Sequence, residues 1–269
     1  MTKAVFFDID GTLINISTGQ THLSHPVREA IYKLRAAGHH AFIASGRPWP
    51  YIDDELKNSD LFDGYVITNG AVVVLNGQVI YQKSLAKQTV KDVIKIAEQH
   101  KIEYILESYP EVYLKSAFTG LEKVYRDIDI NVDNFVREYP PVDELDICKL
   151  EFLGQDEASL AVFEKLIKLP GLTGLIDPTI LRYMELYAAD VSKATGIKKA
   201  LEYLGLSLEN SYAFGDGLND IEMMSTVGHS LVMGNAADEL KKLSDVILPS
   251  VDDDGVAFGI ENYILTEDK

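Results

Sequence analysis

Short apolar runs separated by amphipathic stretches organise this chain. Val5-Phe6-Phe7 leads straight into Asp8-Ile9-Asp10-Gly11-Thr12. In "SHPVREAIYKLRAAG", Val27, Ile31 and Leu34 recur at helical spacing. Ser24 is placed to cap that helix, Pro26 falls in its first turn and Gly38 stops it. The apolar runs in "HHAFIASG" and "DGYVITNGA" predict two further strands, ending in Ser45-Gly46 and Asn69-Gly70. Short apolar strands alternating with helices point to parallel pairing through right-handed crossovers.

The middle of the chain has another rhythm. "AVVVLNGQVIY" predicts a hairpin around Asn76-Gly77. "TVKDVIKIAEQHK" is an amphipathic helix, and "IEYILES" and "EVYLKS" read as strands. Alternating "DICKLEFL" follows, then a helix in "DEASLAVFEKLIKL" and a strand in "LRYMELY". The last third returns to strand-then-helix order. Helices are expected in "SKATGIKKALEYLG", "NDIEMMSTVG" and "AADELKKLS", with strands in "SYAFGDG", "HSLVMG" and "DVILPS". The expected fold is α/β: a Rossmann-like, doubly wound parallel-sheet core from residues 1–81 and 188–269, with an inserted α+β domain at 82–187. There is no internal repeat.

Ligands of open parallel sheets bind beyond the carboxyl ends of the strands. Four predicted strands end in polar, turn-forming groups: Asp8 to Thr12, Ser45-Gly46-Arg47, Thr68-Asn69-Gly70 and Gly215-Asp216-Gly217-Leu218-Asn219-Asp220. One Asp-Xaa-Asp is commonplace as a turn; four such ends on one sheet edge are not. If Asp8, Asp10, Asp216 and Asp220 converge, they cannot all stay ionised without compensation. A divalent cation with hard oxygen ligands supplies it, and the sparse set favours Mg²⁺. Lys193, Ser45 with the following glycine amide, and the Gly11-Thr12 turn are groups that suit phosphate.

Composition narrows the picture. The 269 residues carry a net charge of −17, which argues against general nucleic-acid binding and against docking on anionic membranes. It does not exclude a small anionic substrate in a locally positive pocket. No apolar run approaches the ~18 residues that span a bilayer. The N-terminal stretch does not read as a secretory signal. The single cysteine rules out an internal disulfide framework, so a cytoplasmic location is expected. Cys148 itself reads as a buried small hydrophobe. His39-His40 are adjacent, so they point to different faces and read as surface or packing residues. Trp49 reads as a packing aromatic near the hinge of the insert, with lining of a substrate pocket as the alternative, and "VDDDG" as a surface turn without the ligand pattern of a calcium loop. Arg182 and Tyr183, at the returning strand of the insert, are candidates to touch a substrate.

"DIDGTL", "ASGRP", Lys193 in "DVSKATG" and "FGDGLNDIEMM" resemble the four ordered motifs of the haloacid dehalogenase superfamily of phosphohydrolases. "ITNGA", "VMGNA" and "DDDGVA" resemble its Cof-type sugar-phosphatase subfamily, which carries a large α/β (C2-type) cap between the second and third motifs. The resemblance runs from Lys3 to about Ile260 and is weakest in the cap. It implies Asp8 as nucleophile, forming an aspartyl-phosphate, and Asp10 as general acid and then base. It implies Mg²⁺ on the Asp8 carboxylate, the Asp10 main-chain carbonyl and Asp216, with Asp220 acting on the metal from behind. Ile9, Ser45, Gly46, Arg47, Lys193 and Asn219 would hold phosphate or substrate. The chain has Ser45 where the second motif often has Thr, and Ala194 where Gly often follows the lysine. Retention of Asp10 disfavours dehalogenation. The implied activity is release of phosphate from a small phosphorylated metabolite, with no nucleic-acid or membrane partner. A phosphomutase on the same scaffold and a non-enzymatic phospho-accepting module are the alternatives. Neither substrate nor oligomeric state follows from the residues.

Overall fold

The computed structural model describes residues 1–58, 60–128, 130–177, 180 and 182–268. The chain opens with β1 (Ala4–Phe7), α1 (His25–Ala36), β2 (His40–Ala44), α2 (Asp54–Asn58), β3 (Gly64–Ile67), β4 (Val72–Leu75) and β5 (Gln78–Gln82). It continues through α3 (Lys87–Gln99), β6 (Glu103–Glu107), β7 (Val112–Leu114), α4 (Thr119–Asp127), β8 (Lys149–Leu153), α5 (Ala158–Ile167), β9 (Leu172–Ile176) and β10 (Tyr183–Ala188). It closes with α6 (Lys193–Leu204), β11 (Ser211–Gly215), α7 (Ile221–Met224), β12 (His229–Val232), α8 (Asp238–Lys241), β13 (Val246–Ile247) and α9 (Gly255–Gly259). These elements form two compact units. The first holds residues 1–46, 53–81 and 192–269; the second holds 47–52 and 82–191. The second is larger than the expected insert, since it runs to Val191 and takes in Arg47–Ile52. No described helix is long and apolar enough to cross a membrane.

The first unit is built on one sheet of order β13-β12-β11-β1-β2-β3-β4-β5. The strands from β13 to β3 pair in parallel, and β4 runs antiparallel to β3. Parallel strands covered by helices on both faces are buried throughout. Accordingly Ala4, Val5, Phe6 and Phe7 are all fully buried. On one face Phe6 stacks on Phe42 at 5.1 Å, in a cluster with Ile197, Ala200 and Leu201 of α6 and Met223 of α7. On the other, Phe7 stacks on Phe214 at 4.9 Å. The first helix starts as its sequence requires: the Ser24 hydroxyl accepts the Val27 amide, and Gly38 beyond its end has φ +86°.

Two helices are shorter than expected. "NDIEMMSTVG" gives a 3₁₀ turn at Leu218–Asp220 and then only Ile221–Met224. The Ser225 hydroxyl donates back to the Ile221 carbonyl, which also accepts the Ser225 amide at 3.0 Å. "AADELKKLS" gives only Asp238–Lys241. "VDDDG" is a turn, but it leads directly into α9. Its carboxylates reach back to the first loop, where Asp252 accepts from Asn15 and Thr18 and Asp254 accepts from Ser24.

The second unit is an antiparallel sheet of order β7-β6-β8-β10-β9. Leu181 of "LRYMELY" lies outside the described residues, and the strand begins at Tyr183. In register, Leu106, Leu150 and Leu186 align across three strands on one face, and Phe163 of α5 meets Phe152 on that side. The other face bears Glu107, Lys149, Glu151 and Glu185, with Tyr51, Tyr125 and Phe135 packed over it. The alternation in "DICKLEFL" is therefore real, but its polar face is not exposed: Lys149 and Glu151 are 1% and 2% accessible.

Candidate active site

The chain leaves β1 toward β2 and β3 on one side and returns through β11, β12 and β13 on the other. This reversal opens a crevice at the carboxyl ends of β1 and β11. Asp8 stands at the end of β1, its amide donating to the Phe214 carbonyl at 3.0 Å. The chain then tightens around Ile9, whose carbonyl accepts the amides of Thr12, Leu13 and Ile14. Gly11, with φ +76°, is the pivot. A Cβ there would lie 2.1 Å from Asp216 Oδ2, so only glycine lets the Asp216 carboxylate pack onto this loop. The Thr12 hydroxyl donates to Asp216 Oδ1 at 3.1 Å. Asn235 Nδ2 donates to the Gly11 carbonyl at 2.8 Å, while its Oδ1 accepts the Val251 amide.

Lys193 opens α6 behind a capping box in which Ser192 and Thr195 exchange side-chain bonds with each other's amides. Ser192→Ala should therefore cost about 1 kcal/mol, readable as a lower urea midpoint with an unchanged slope. The Lys193 ammonium donates to Asp8 Oδ1 at 2.6 Å and Asp220 Oδ1 at 2.7 Å. Asp220 Oδ2 accepts the amides of Asp216 and Gly217, both at 3.0 Å. With its carboxylate committed to the lysine and to two amides, Asp220 is built to hold the β11 turn and the ammonium.

Carboxylate oxygens of Asp8, Asp216 and Asp220 all lie within 4.8 Å of one another. Burial pushes the Asp8 carboxyl up to about 8; Lys193 pulls it back and Asp220 adds repulsion. Burial and Asp220 likewise push Asp216 up to about 6. Burial works against the Lys193 ammonium, but Asp220 and Asp8 together hold it charged, above its ordinary range. One lysine does not balance three crowded carboxylates. An all-oxygen set held this tightly fits a hard divalent cation.

The remaining expected residues divide by position. Asp10 is exposed, two residues beyond the buried Asp8. Ser45 is buried at the end of β2, and Gly46 follows it in the same turn. Asn219 is exposed in the 3₁₀ turn after β11, with its Oδ1 against Gly217. All of these lie in the first unit. Ile9 is fully buried with its carbonyl consumed, so its amide is what it could offer a phosphate. Arg47 belongs to the second unit, where its guanidinium donates to the Tyr51 carbonyl at 2.9 Å. The sequence reading gave Thr12 only a backbone part in the Gly11-Thr12 turn and gave Asn235 none; the structure adds the Thr12 hydroxyl bond to Asp216 and the Asn235 tie to Gly11. Asn235 lies in "VMGNA", but nothing local to that motif names Gly11 or Asp216 as its partners.

Other groups take structural parts. Cys148 is buried, and burial pushes its thiol up to about 12. Trp49 packs edge-on against Tyr109 at 5.8 Å. His22, Asp53 and Glu55 form a surface trio, but Glu55 already accepts from Arg28 and His22. A cleft of about 490 Å³ lies wholly within the second unit, lined in part by Glu103, Lys123, Asp127 and Arg182. Two of these are engaged there: Glu103 accepts the amides of Gly120 and Leu121, and Arg182 donates to the Gln155 carbonyl. The Tyr183 hydroxyl meets that of Tyr125 at 3.1 Å.

The model of the haloacid dehalogenase-like hydrolases matches residues 5–260. The chain is 31% identical over 272 residues to a Bacillus subtilis protein named "Putative phosphatase YkrA", covering 97% of each. It is 26% identical over 275 residues to the 5-amino-6-(5-phospho-D-ribitylamino)uracil phosphatase YitU of the same organism, covering 96% of each. The solved structure of the subclass IIB sugar phosphatase BT4131 matches with a TM-score of 0.79 at 26% identity, over 97% of this chain and 99% of that one. The chain belongs to the haloacid dehalogenase-like hydrolase family and is an enzyme of its phosphatase class.

Proposed function

We propose that the chain is a Mg²⁺-dependent phosphohydrolase that removes phosphate from small phosphorylated metabolites, with sugar phosphates the leading class, through an aspartyl-phosphate on Asp8. The observation that carries this reading is the Asp8 carboxylate, held 2.6 Å from the Lys193 ammonium, with an exposed second carboxylate two residues on. The relatives named as a sugar phosphatase and a ribitylaminouracil phosphatase support the substrate class.

Asp8 would attack phosphorus, forming a new P–O bond as the ester P–O bond breaks. Asp10, exposed beside it, would give its proton to the departing alkoxide. The same carboxylate would then take a proton from the water that attacks the aspartyl-phosphate, releasing inorganic phosphate and restoring Asp8. Lys193, Ser45, the Gly46 amide and Asn219 would hold the phosphoryl oxygens, so catalysis is mostly positioning and charge stabilisation. Asp8, the Asp10 main-chain carbonyl and Asp216 would hold Mg²⁺. When bound, it would neutralise the crowded carboxylates and draw charge from the phosphoryl group.

The test is release of inorganic phosphate from a panel of phosphomonoesters with Mg²⁺ and with excess EDTA. Release is expected with the metal and should be lost on chelation, returning when Mg²⁺ is restored. Full activity in EDTA would remove the metal from this reading. Inertness toward every phosphomonoester would remove the substrate class.

A further inference from the structure

The end of β3 carries an unusual turn. Thr68, Asn69 and Gly70 have φ of 53°, 55° and 94°, three consecutive residues in the left-handed region. Glycine adopts this backbone freely and asparagine tolerates it, but a β-branched threonine does not. Thr68 is also fully buried, and its hydroxyl has no hydrogen-bond partner among the described residues. Backbone of this kind persists only where its surroundings over-determine it, and it gathers at ligand clamps.

The surroundings here are two parts of the candidate active site. On one side the Asn69 amide donates to the Ser45 carbonyl at 3.3 Å. The Asn69 side-chain oxygen lies so close to Gly46 that a Cβ there would be 2.6 Å from it. On the other side Gly70 lies against the start of α6. A Cβ on Gly70 would be 2.0 Å from the Ser192 carbonyl oxygen and 3.1 Å from the Lys193 nitrogen. The turn is therefore wedged between the Ser45–Gly46 loop and the residue that carries the ammonium.

We propose that Asn69 is a positioning residue for phosphate binding, acting through the Ser45–Gly46 loop against which its side chain packs. This rests on the phosphatase reading. Position 69 needs a residue that accepts left-handed backbone. Both asparagine and glycine do, but only asparagine also reaches Gly46. Asn69→Gly thus keeps the backbone and removes the contact. If asparagine is present only for its backbone, that change does nothing to phosphate.

The experiment measures KM and kcat for p-nitrophenyl phosphate, the inhibition constant of inorganic phosphate, and thermal unfolding. For Asn69→Gly, KM and the phosphate inhibition constant should rise together by about tenfold, equivalent to ~1.4 kcal/mol of lost binding. The value of kcat and the melting temperature should change little. Thr68→Val removes the unpartnered hydroxyl and leaves Asn69 in place; it should bind phosphate as the wild type does and melt no lower. Unchanged phosphate binding in Asn69→Gly, or failure of that variant to fold, overturns the proposal. So does an equal loss of phosphate binding in Thr68→Val, which would assign the effect to the fold of the turn. Wild type that neither binds phosphate nor releases it would bring down the phosphatase reading, and this proposal with it.

Discussion

Asp8→Asn should lower turnover of any phosphomonoester substrate by roughly 10⁴–10⁶-fold, the range in which loss of a covalent nucleophile falls. The change is nearly isosteric. The new side-chain oxygen can still accept the bond that Lys193 now gives to Asp8 Oδ1. It also removes one negative charge from a group of three carboxylates packed within 4.8 Å. The fold should therefore survive, and the melting temperature should not fall. Loss of activity with an intact melting curve separates a chemical role from a structural one. Asp10→Asn is the companion. Because Asp10 is exposed and outside the buried cluster, its loss should leave substrate binding in place and slow turnover by ~10²–10⁴-fold, as for a general acid or base. Wild-type rates in Asp8→Asn would end the proposed mechanism.

Lys149→Met should destabilise the second unit by about 3–5 kcal/mol, the cost of leaving a buried charge uncompensated. The Lys149 ammonium lies 3.2 Å from Glu107, 2.9 Å from Glu151 and 3.4 Å from Glu185. Glu107 is fully buried, and although it lies within ion-pair range, neither of its oxygens makes a hydrogen bond of standard geometry. Burial pushes Glu151 well above the usual carboxylate range, and Glu107 beside it adds repulsion; burial raises Glu107 too. A carboxyl that holds its proton more tightly folded than unfolded stabilises the fold below its unfolded pKa. That contribution is lost as pH rises through the folded value. Stability of this unit should thus decline above the ordinary carboxylate range, and Glu151→Gln should flatten the decline. Chemical denaturation across that pH range reads both effects. A Lys149→Met variant as stable as wild type at pH 7 would show that the cluster is not charged as the geometry implies.

How far these features could be read from the chain differs between its parts. The core strands were legible because strands buried on both faces carry unbroken apolar runs, and because Ser24 and Gly38 mark the ends of the first helix in the residues themselves. The carboxylates at the strand ends were legible as a group, since both segments that carry them lie at turns after apolar runs. That Asp8 meets Lys193, 185 residues along, is a tertiary fact, and only the order of motifs suggested it. The buried row of Lys149 and Glu151 was hidden for a related reason. Alternation tells which residues share a face, whereas burial of that face depends on Tyr51, Tyr125 and Phe135, which come from three separate segments. Assignment of Arg47–Ile52 to the second unit has no local signal.

The position of β1 has a consequence for how the protein is made. Its two neighbours are β2, complete at residue 44, and β11, which begins at residue 211. A ribosome adding ~5–20 residues per second needs roughly 10–40 s to cover the chain from β1 to β11. Through that interval Val5-Phe6-Phe7 lacks the partner for one of its edges, and an open apolar edge is a template for pairing with another chain. The second unit, complete at Val191, can condense while β1 waits. Lys193 is made only after it, so the nascent chain carries Asp8 without the group that steadies it until synthesis is about seven-tenths done. Yield from the ribosome should therefore depend on how well this one strand is shielded before its last neighbour arrives.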